Sequence, residues 1–163
     1  MSSSDRRSFL ALLGALPLAA CGFTPVYGPG GTGGAVRGRV DFADPDSALE
    51  FSLVARLEDR IGRAAGAQYL LDYTIRTRES ALALTGAEDI NRININGTAT
   101  FTVTDTATGA QVQSGEVTTF TAFASSGSPV ATTAARRDAE QRLMIALADQ
   151  IVSRLLAGAD DWP

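Results

Sequence analysis

Apolar and polar residues alternate in four segments of the chain, which is the pattern of strands that bury one face. The first segment is short and runs from Val36 to Phe42. The second begins at Tyr69, and its apolar parity shifts beyond Thr77, which predicts a bulge or a strand end between residues 78 and 81. A loop is expected next, around residues 85–89.

The third segment shows the clearest alternation. Its apolar positions are Ile93, Ile95, Ala99, Phe101 and Val103, and its polar positions are Arg92, Asn94, Asn96, Thr98, Thr100 and Thr102. Gly97 in the middle predicts a bulge or a close backbone approach. Residues 105–109 have the composition of a hairpin turn, so a fourth strand should follow from about Gln111 to Ala124, with a break near Gly115.

Two further segments have the spacing of amphipathic helices. In the first, Ser47 and Glu50 match a capping box, and the helix should end near Gly62 or Gly66. The second should begin at Ser128 and Pro129 and end before Gly158. Their apolar residues recur four apart: Leu49, Leu53, Leu57 and Ile61 in the first, and Ala135, Ala139, Leu143, Leu147, Ile151 and Leu155 in the second.

The element order β-α-β-β-β-α predicts an α+β fold. Each helix has one apolar face and the strands have one polar face. The apolar residues are therefore buried best if two helices pack on one face of a four-stranded mixed sheet. One parallel strand pair is expected, because a helix connects the first two strands. We assign residues 35–158 to this single domain and expect residues 159–163 to form a loose tail.

The N-terminal residues have a different pattern, that of an export signal. Two arginines precede an apolar run from Phe9 to Ala20, which is too short to span a bilayer as a helix. Leu18-Ala19-Ala20-Cys21 resembles a bacterial lipobox, whereas ordinary secretory cleavage disfavours a bulky Leu18 three residues before the cut. We predict a cleaved signal over 1–20, lipidation of Cys21 and a flexible tether over 21–34. Export by the Sec or the twin-arginine route stays open.

Composition narrows the possible chemistry. The chain has 18 acidic and 14 basic residues, a net charge of −4, and neither Lys nor His. An acidic domain argues against nucleic-acid binding. Without His or Lys, and with its single Cys carrying lipid, the chain offers no common general base, amine nucleophile or Cys/His metal site. We therefore expect no enzymatic activity, cofactor or metal; a periplasmic carboxylate-dependent hydrolase is the less favoured alternative.

Several motifs together resemble the LptE family of lipopolysaccharide-assembly lipoproteins, over nearly all of the mature chain. They are the lipobox with Cys21-Gly22-Phe23-x-Pro25-x-Tyr27-Gly28, the helix opening Ser128-Pro129-x-Ala131, the pair Asp138-Ala139, and Leu147-Ala148-Asp149-Gln150-Ile151. The resemblance implies a non-enzymatic lipoprotein, held in the outer membrane by N-terminal acyl chains and facing the periplasm. It further implies that the protein plugs and helps to assemble the LptD β-barrel and binds lipopolysaccharide.

For contact with lipopolysaccharide we nominate Arg76, Arg78 and Arg92. Their planar guanidinium groups suit bidentate recognition of lipid A phosphates. The alternative is that these arginines pair with Asp72, Glu79 or Asp89 at the surface. A different function, as an accessory lipoprotein of another envelope transport complex, is also compatible with the sequence.

Overall fold

The computed structural model describes residues 28, 31, 33–82, 92–125 and 128–163. The predictions for Cys21, for the export signal and for the loop at 85–89 lie outside these residues. The elements are α1 (Gly33–Val36), β1 (Val40–Phe42), α2 (Ala48–Ile61), β2 (Tyr69–Leu82), β3 (Arg92–Asp105), β4 (Gln111–Ala124) and α3 (Pro129–Gly158), followed by a 3-10 turn (Ala159–Asp161).

The four strands form one sheet in the order β1-β2-β3-β4. The β1–β2 pair is parallel, and the other two pairs are antiparallel. The buried residues of α2 and α3 join the inward-facing strand residues in a single apolar core. The predicted α+β fold, with two long helices and a four-stranded mixed sheet, is therefore confirmed.

Helix α2 begins and ends as its sequence predicts. The Ser47 hydroxyl accepts a hydrogen bond from the Glu50 amide at 3.2 Å, and the Glu50 carboxylate accepts one from the Asp46 amide at 2.8 Å. At the other end Gly62 adopts a φ of 87°, which an L side chain rarely tolerates, and donates to the Glu58 carbonyl. These contacts satisfy backbone groups that the helix leaves unpaired at its ends.

Strand β1 is shorter than its alternation predicts. Val36 closes the helical turn α1, and Gly38, with a φ of 70°, redirects the chain before the strand starts at Val40. Val36, Val40 and Phe42 are nonetheless all buried. The alternation therefore indicates burial correctly, but burial alone does not require an extended backbone.

The predicted irregularity in β2 is wrong. β2 pairs with β3 from Tyr69 to Leu82 without any shift in register. The inward positions Thr77 and Glu79 are exposed, and Glu79 forms an ion pair with Arg136 of α3. The apolar parity thus changes because β2 leaves the core at this point while the strand continues; the core itself extends farther on β3 and β4, where Ile95 and Phe123 are buried.

The irregularity predicted near Gly115 of β4 does not lie at Gly115 itself. β4 pairs with β3 without a shift from Gln113 to Ala124, and the shift in register comes at Val112, an extra residue of β4 opposite the step from Val103 to Thr104. Gly115 instead accommodates the ring of Phe101, whose Cζ would lie 2.8 Å from an added Cβ. Gly97 similarly admits Leu143 of α3, whose Cδ2 would lie 2.9 Å from an added Cβ. Of the two possibilities at Gly97, the structure therefore shows a close approach, made by a side chain, and no bulge.

Helix α3 packs across the sheet, and helix α2 packs beside it. The Ser128 hydroxyl caps it by accepting from the Ala131 amide at 3.3 Å. Asp149 accepts hydrogen bonds from Arg56 Nε at 3.0 Å and Arg60 Nη1 at 2.7 Å, which connects α3 to α2. The hydrogen bond to Asp149 raises the pKa of Arg56 above its ordinary value.

The C-terminal residues pack on the sheet, which differs from the expected loose tail. The ring of Trp162 lies 4.7 Å from that of Tyr69, and its Nε1 donates to Gln113 Oε1 at 3.0 Å. The Tyr69 hydroxyl donates to the carbonyl of Pro163 at 2.5 Å. These partners come from β2 and β4 and become neighbours of the C-terminus only when the sheet has formed.

Candidate functional site

The candidate site is the face of the sheet that points away from the core, here called the outer face. Alternation along the strands places polar residues on it. Its members are Asp72, Thr74, Arg76, Arg78 and Ser80 of β2, Arg92, Asn94, Asn96, Thr98, Thr100 and Thr102 of β3, and Ser114, Glu116, Thr118, Phe120 and Ala122 of β4.

Strand register arranges the outer face in rows across the sheet. Arg78 pairs with Asn96, and Asn96 pairs with Phe120 on the other side. In the next row Thr98 and Thr118 are partners, and their hydroxyl oxygens lie 3.3 Å apart. Since adjacent strands are about 4.8 Å apart, each row of three residues spans roughly 10 Å between its outer Cα atoms. The rows form a surface with hydroxyl, amide and guanidinium groups within reach of one ligand.

The three nominated arginines all lie on the outer face and are exposed. Arg76 and Arg78 are two residues apart on β2, which corresponds to about 7 Å along the strand. Arg92 pairs with Leu82, four residues beyond Arg78, and so lies about 13 Å farther along the sheet. The structure thus brings Arg76 and Arg78 together and places Arg92 at the end of the same face.

The alternative, in which these arginines pair with surface carboxylates, is not observed among the described residues. Glu79 points to the opposite face, where Arg136 Nε donates to its carboxylate at 2.9 Å. That contact raises the pKa of Arg136 above its ordinary value. Asp89 lies outside the described residues. Within the part of the chain that the structure describes, Arg76, Arg78 and Arg92 make no ion pair or hydrogen bond through their side chains.

Acidic residues lie toward the other end of the outer face. Asp72 stands four residues before Arg76 on β2, and Glu116 pairs with Thr100, two residues from the row of Arg76. Positive charge is therefore concentrated where β2 ends and β3 begins. This end of the face is suited to an anionic ligand.

Phe120 is a further residue of the outer face that is not among the site residues predicted from the sequence. Its side chain is 65 % exposed and shares the outer face with Thr118 and Ala122, whereas Val117 and Phe123 are buried. Val117, Phe120 and Phe123 do not share one parity in the sequence, and this conflict is the signal that could have identified Phe120. In the structure β4 is regular from Gln113 to Ala124, and Phe120 is an outward-facing aromatic residue.

Some carboxylates outside the outer face have structural roles. Asp105 accepts hydrogen bonds from the amides of Ala107 and Thr108 in the predicted hairpin turn, which lowers its pKa. Burial and the nearby carboxylates of Glu50 and Asp46 raise the pKa of Tyr73 to about 12, so its phenol stays protonated at neutral pH. No group of three acidic, Cys or His side chains in the described segments is placed to hold a metal ion.

No helix among the described residues combines the length and the apolar character needed to cross a bilayer.

Comparison with known proteins identifies the family. The sequence profile of the LptE family, described as lipopolysaccharide-assembly, matches residues 38–155. No curated protein sequence matches the chain.

Solved structures show the same fold. A Caulobacter crescentus protein assigned as a lipoprotein has a TM-score of 0.63 and 19 % identity, over 77 % of this chain and 93 % of that one. The rare lipoprotein B of Shewanella oneidensis has a TM-score of 0.55 and 15 % identity, over 72 % and 92 %. A minor lipoprotein of Acinetobacter baumannii has a TM-score of 0.53 and 17 % identity, over 72 % and 88 %.

Proposed function

Since the chain belongs to the LptE family of lipopolysaccharide-assembly proteins, we propose that it plugs and helps to assemble the LptD β-barrel and binds lipopolysaccharide for delivery to the cell surface. In this proposal the protein is a non-enzymatic lipoprotein of the outer membrane that faces the periplasm. Its acyl chains are attached at Cys21.

The observation that carries the binding proposal is the set of outer-face arginines that form no ion pair with any of the described residues. Arg76 and Arg78 lie side by side, and Arg92 lies at the end of the same face. Guanidinium groups form bidentate hydrogen bonds with phosphate, and such charge-assisted bonds are stronger than neutral ones. Lipid A carries phosphates on its sugar headgroup, so this end of the face matches its charge.

The polar character of the outer face supports the plug proposal. The interior of a membrane β-barrel is polar, so a domain that fills it needs hydroxyl and amide groups on its surface. Thr98, Thr100 and Thr102 with Asn94 and Asn96 supply such groups along β3. The rigid sheet holds them in fixed rows, so this face can lie in the polar interior of a barrel and remain open to a ligand there.

Replacing Arg76, Arg78 and Arg92 together by Ser is expected to weaken lipopolysaccharide binding by at least about tenfold, because each hydrogen bond to a charged group contributes roughly 1.5–3 kcal/mol when it is well formed. The measurement is a titration of lipopolysaccharide into the full-length protein in detergent. The matched control replaces Arg37, Arg137 and Arg154, which are exposed on other surfaces, by Ser and should bind like wild type. Equal affinity of the first variant and wild type would remove these residues from the site.

Depletion of the protein is expected to prevent maturation of the LptD barrel, because the proposed plug would be missing while the barrel closes. The readout is the amount of folded LptD in outer-membrane fractions, with an unrelated outer-membrane barrel as control. Normal LptD maturation in depleted cells would contradict the proposal. Co-purification with a transport ATPase complex and without LptD would instead support the accessory-lipoprotein alternative.

A further inference from the structure

We infer that Phe120 binds a sugar ring of the lipopolysaccharide headgroup, so that the outer face holds the phosphorylated glucosamine backbone and leaves the acyl chains outside the site. This inference rests on the proposed function, since it identifies which part of the ligand the outer face contacts. It adds an aromatic contact to the three arginines.

The position of Phe120 separates it from the core and joins it to the cationic end of the face. The side chain is 65 % exposed, although Val117 and Phe123 on the same strand are buried. Its neighbours on the outer face are the short side chains of Thr118 and Ala122 along β4 and Asn96 across the sheet. None of these is large enough to cover an aromatic ring, so a ligand can reach the ring from solvent.

The chemistry of this row suits a phosphorylated sugar. An aromatic face carries partial negative charge, and the axial C–H groups of a pyranose, which are apolar and slightly positive, pack against such a face. Asn96, the direct neighbour of Phe120, offers an amide that can donate to or accept from sugar hydroxyls. Arg78 completes the row, with its Cα roughly 10 Å from that of Phe120.

The dimensions and polarity of the row favour the headgroup over an acyl chain. A guanidinium group on a long, flexible side chain can reach a phosphate attached to a sugar that rests on Phe120. An acyl chain, in contrast, requires a continuous apolar surface, and Ala122 is the one apolar neighbour of Phe120 in its own row and the two adjacent rows. The other residues of these rows are polar or charged: Arg76, Arg78, Ser80, Asn94, Asn96, Thr98 and Thr118. A single aromatic ring among hydroxyl, amide and guanidinium groups is instead typical of carbohydrate recognition.

The test uses the full-length protein in detergent and two probes, lipid A and its water-soluble deacylated, bis-phosphorylated disaccharide. Phe120→Ala is expected to weaken binding of both probes about five- to tenfold, the range expected for truncating a central aromatic contact. Phe120→Leu should lose a similar factor because it lacks a flat ring, whereas Phe120→Trp should bind at least as well as wild type. The matched control is Phe51→Ala, since Phe51 of α2 is 64 % exposed away from this face.

Several results would overturn the inference. The inference would be wrong if Phe120→Ala bound the disaccharide with wild-type affinity. It would also be wrong if Phe51→Ala lost as much affinity as Phe120→Ala. If Phe120→Leu binds both probes fully and Phe120→Ala loses affinity for lipid A alone, the result would indicate that Phe120 contacts an acyl chain instead. If Phe120→Ala binds normally while the triple arginine variant does not, only this inference fails. If the triple arginine variant binds normally, the three arginines are not part of the site; if the wild-type protein binds neither probe, the proposed binding function fails as well.

Discussion

Replacement of Phe101 by Ala is expected to lower the free energy of unfolding by about 4 kcal/mol, the usual range for a buried Phe being about 3–5 kcal/mol. Phe101 lies in the central strand β3, is 1 % exposed and is among the largest fully buried side chains. Its ring occupies the space over Gly115 of β4, so truncation leaves a cavity between the sheet and α3. The rigid backbone of two paired strands limits how far the structure can collapse to fill it.

Urea denaturation of the mature chain measures this change, and Phe120→Ala is the control. Phe120 is the same residue type on the neighbouring strand but is exposed, so its truncation should change the stability by at most about 0.5 kcal/mol.

A second pair of variants tests the packing directly. Gly115→Ala should destabilise by about 1–3 kcal/mol because its Cβ would meet the Phe101 ring, and combining it with Phe101→Leu should recover part of that loss. If the loss of stability in the double variant equals the sum of the losses in the two single variants, Gly115 and Phe101 do not pack against each other as described.

Replacement of Cys21 by Ser is expected to move almost all of the protein from the membrane fraction to the soluble periplasmic fraction. Acyl chains contribute about 0.8 kcal/mol per buried CH₂, and two or more chains are needed for stable anchoring. A serine hydroxyl cannot form the thioether that would carry them.

Fractionation of cells measures the distribution, and mass spectrometry of the mature N-terminus measures acylation. Thr24→Ala leaves the lipobox intact and should stay in the membrane fraction. An unacylated N-terminus in the wild-type protein would contradict the prediction. Retention of Cys21→Ser in the membrane through LptD would be recognised by its release when LptD is absent.

Local patterns predicted most elements because each is encoded by nearby residues. The helix ends follow from Ser47, Gly62 and Ser128, whose caps act within one turn. Two interpretations of β strands were wrong for a common reason. The parity change after Thr77 and the mixed parity of β4 each suggest an irregular backbone, although the first reflects the exposed end of β2 and the second reflects the exposed side chain of Phe120. Burial depends on distant elements and cannot be read from alternation alone.

The sequence by itself determined the two helices, the inward and outward faces of the long strands and the presence of three arginines on polar positions, because hydrophobic periodicity and capping act over a few residues. Only the tertiary structure decided that Phe120 stands beside Asn96 and Arg78, and that Trp162 packs on Tyr69. Strand register and helix placement arise from contacts between residues far apart in the chain. A register shift of one residue would exchange the two faces of a strand, so the composition of the outer face follows from packing against the core.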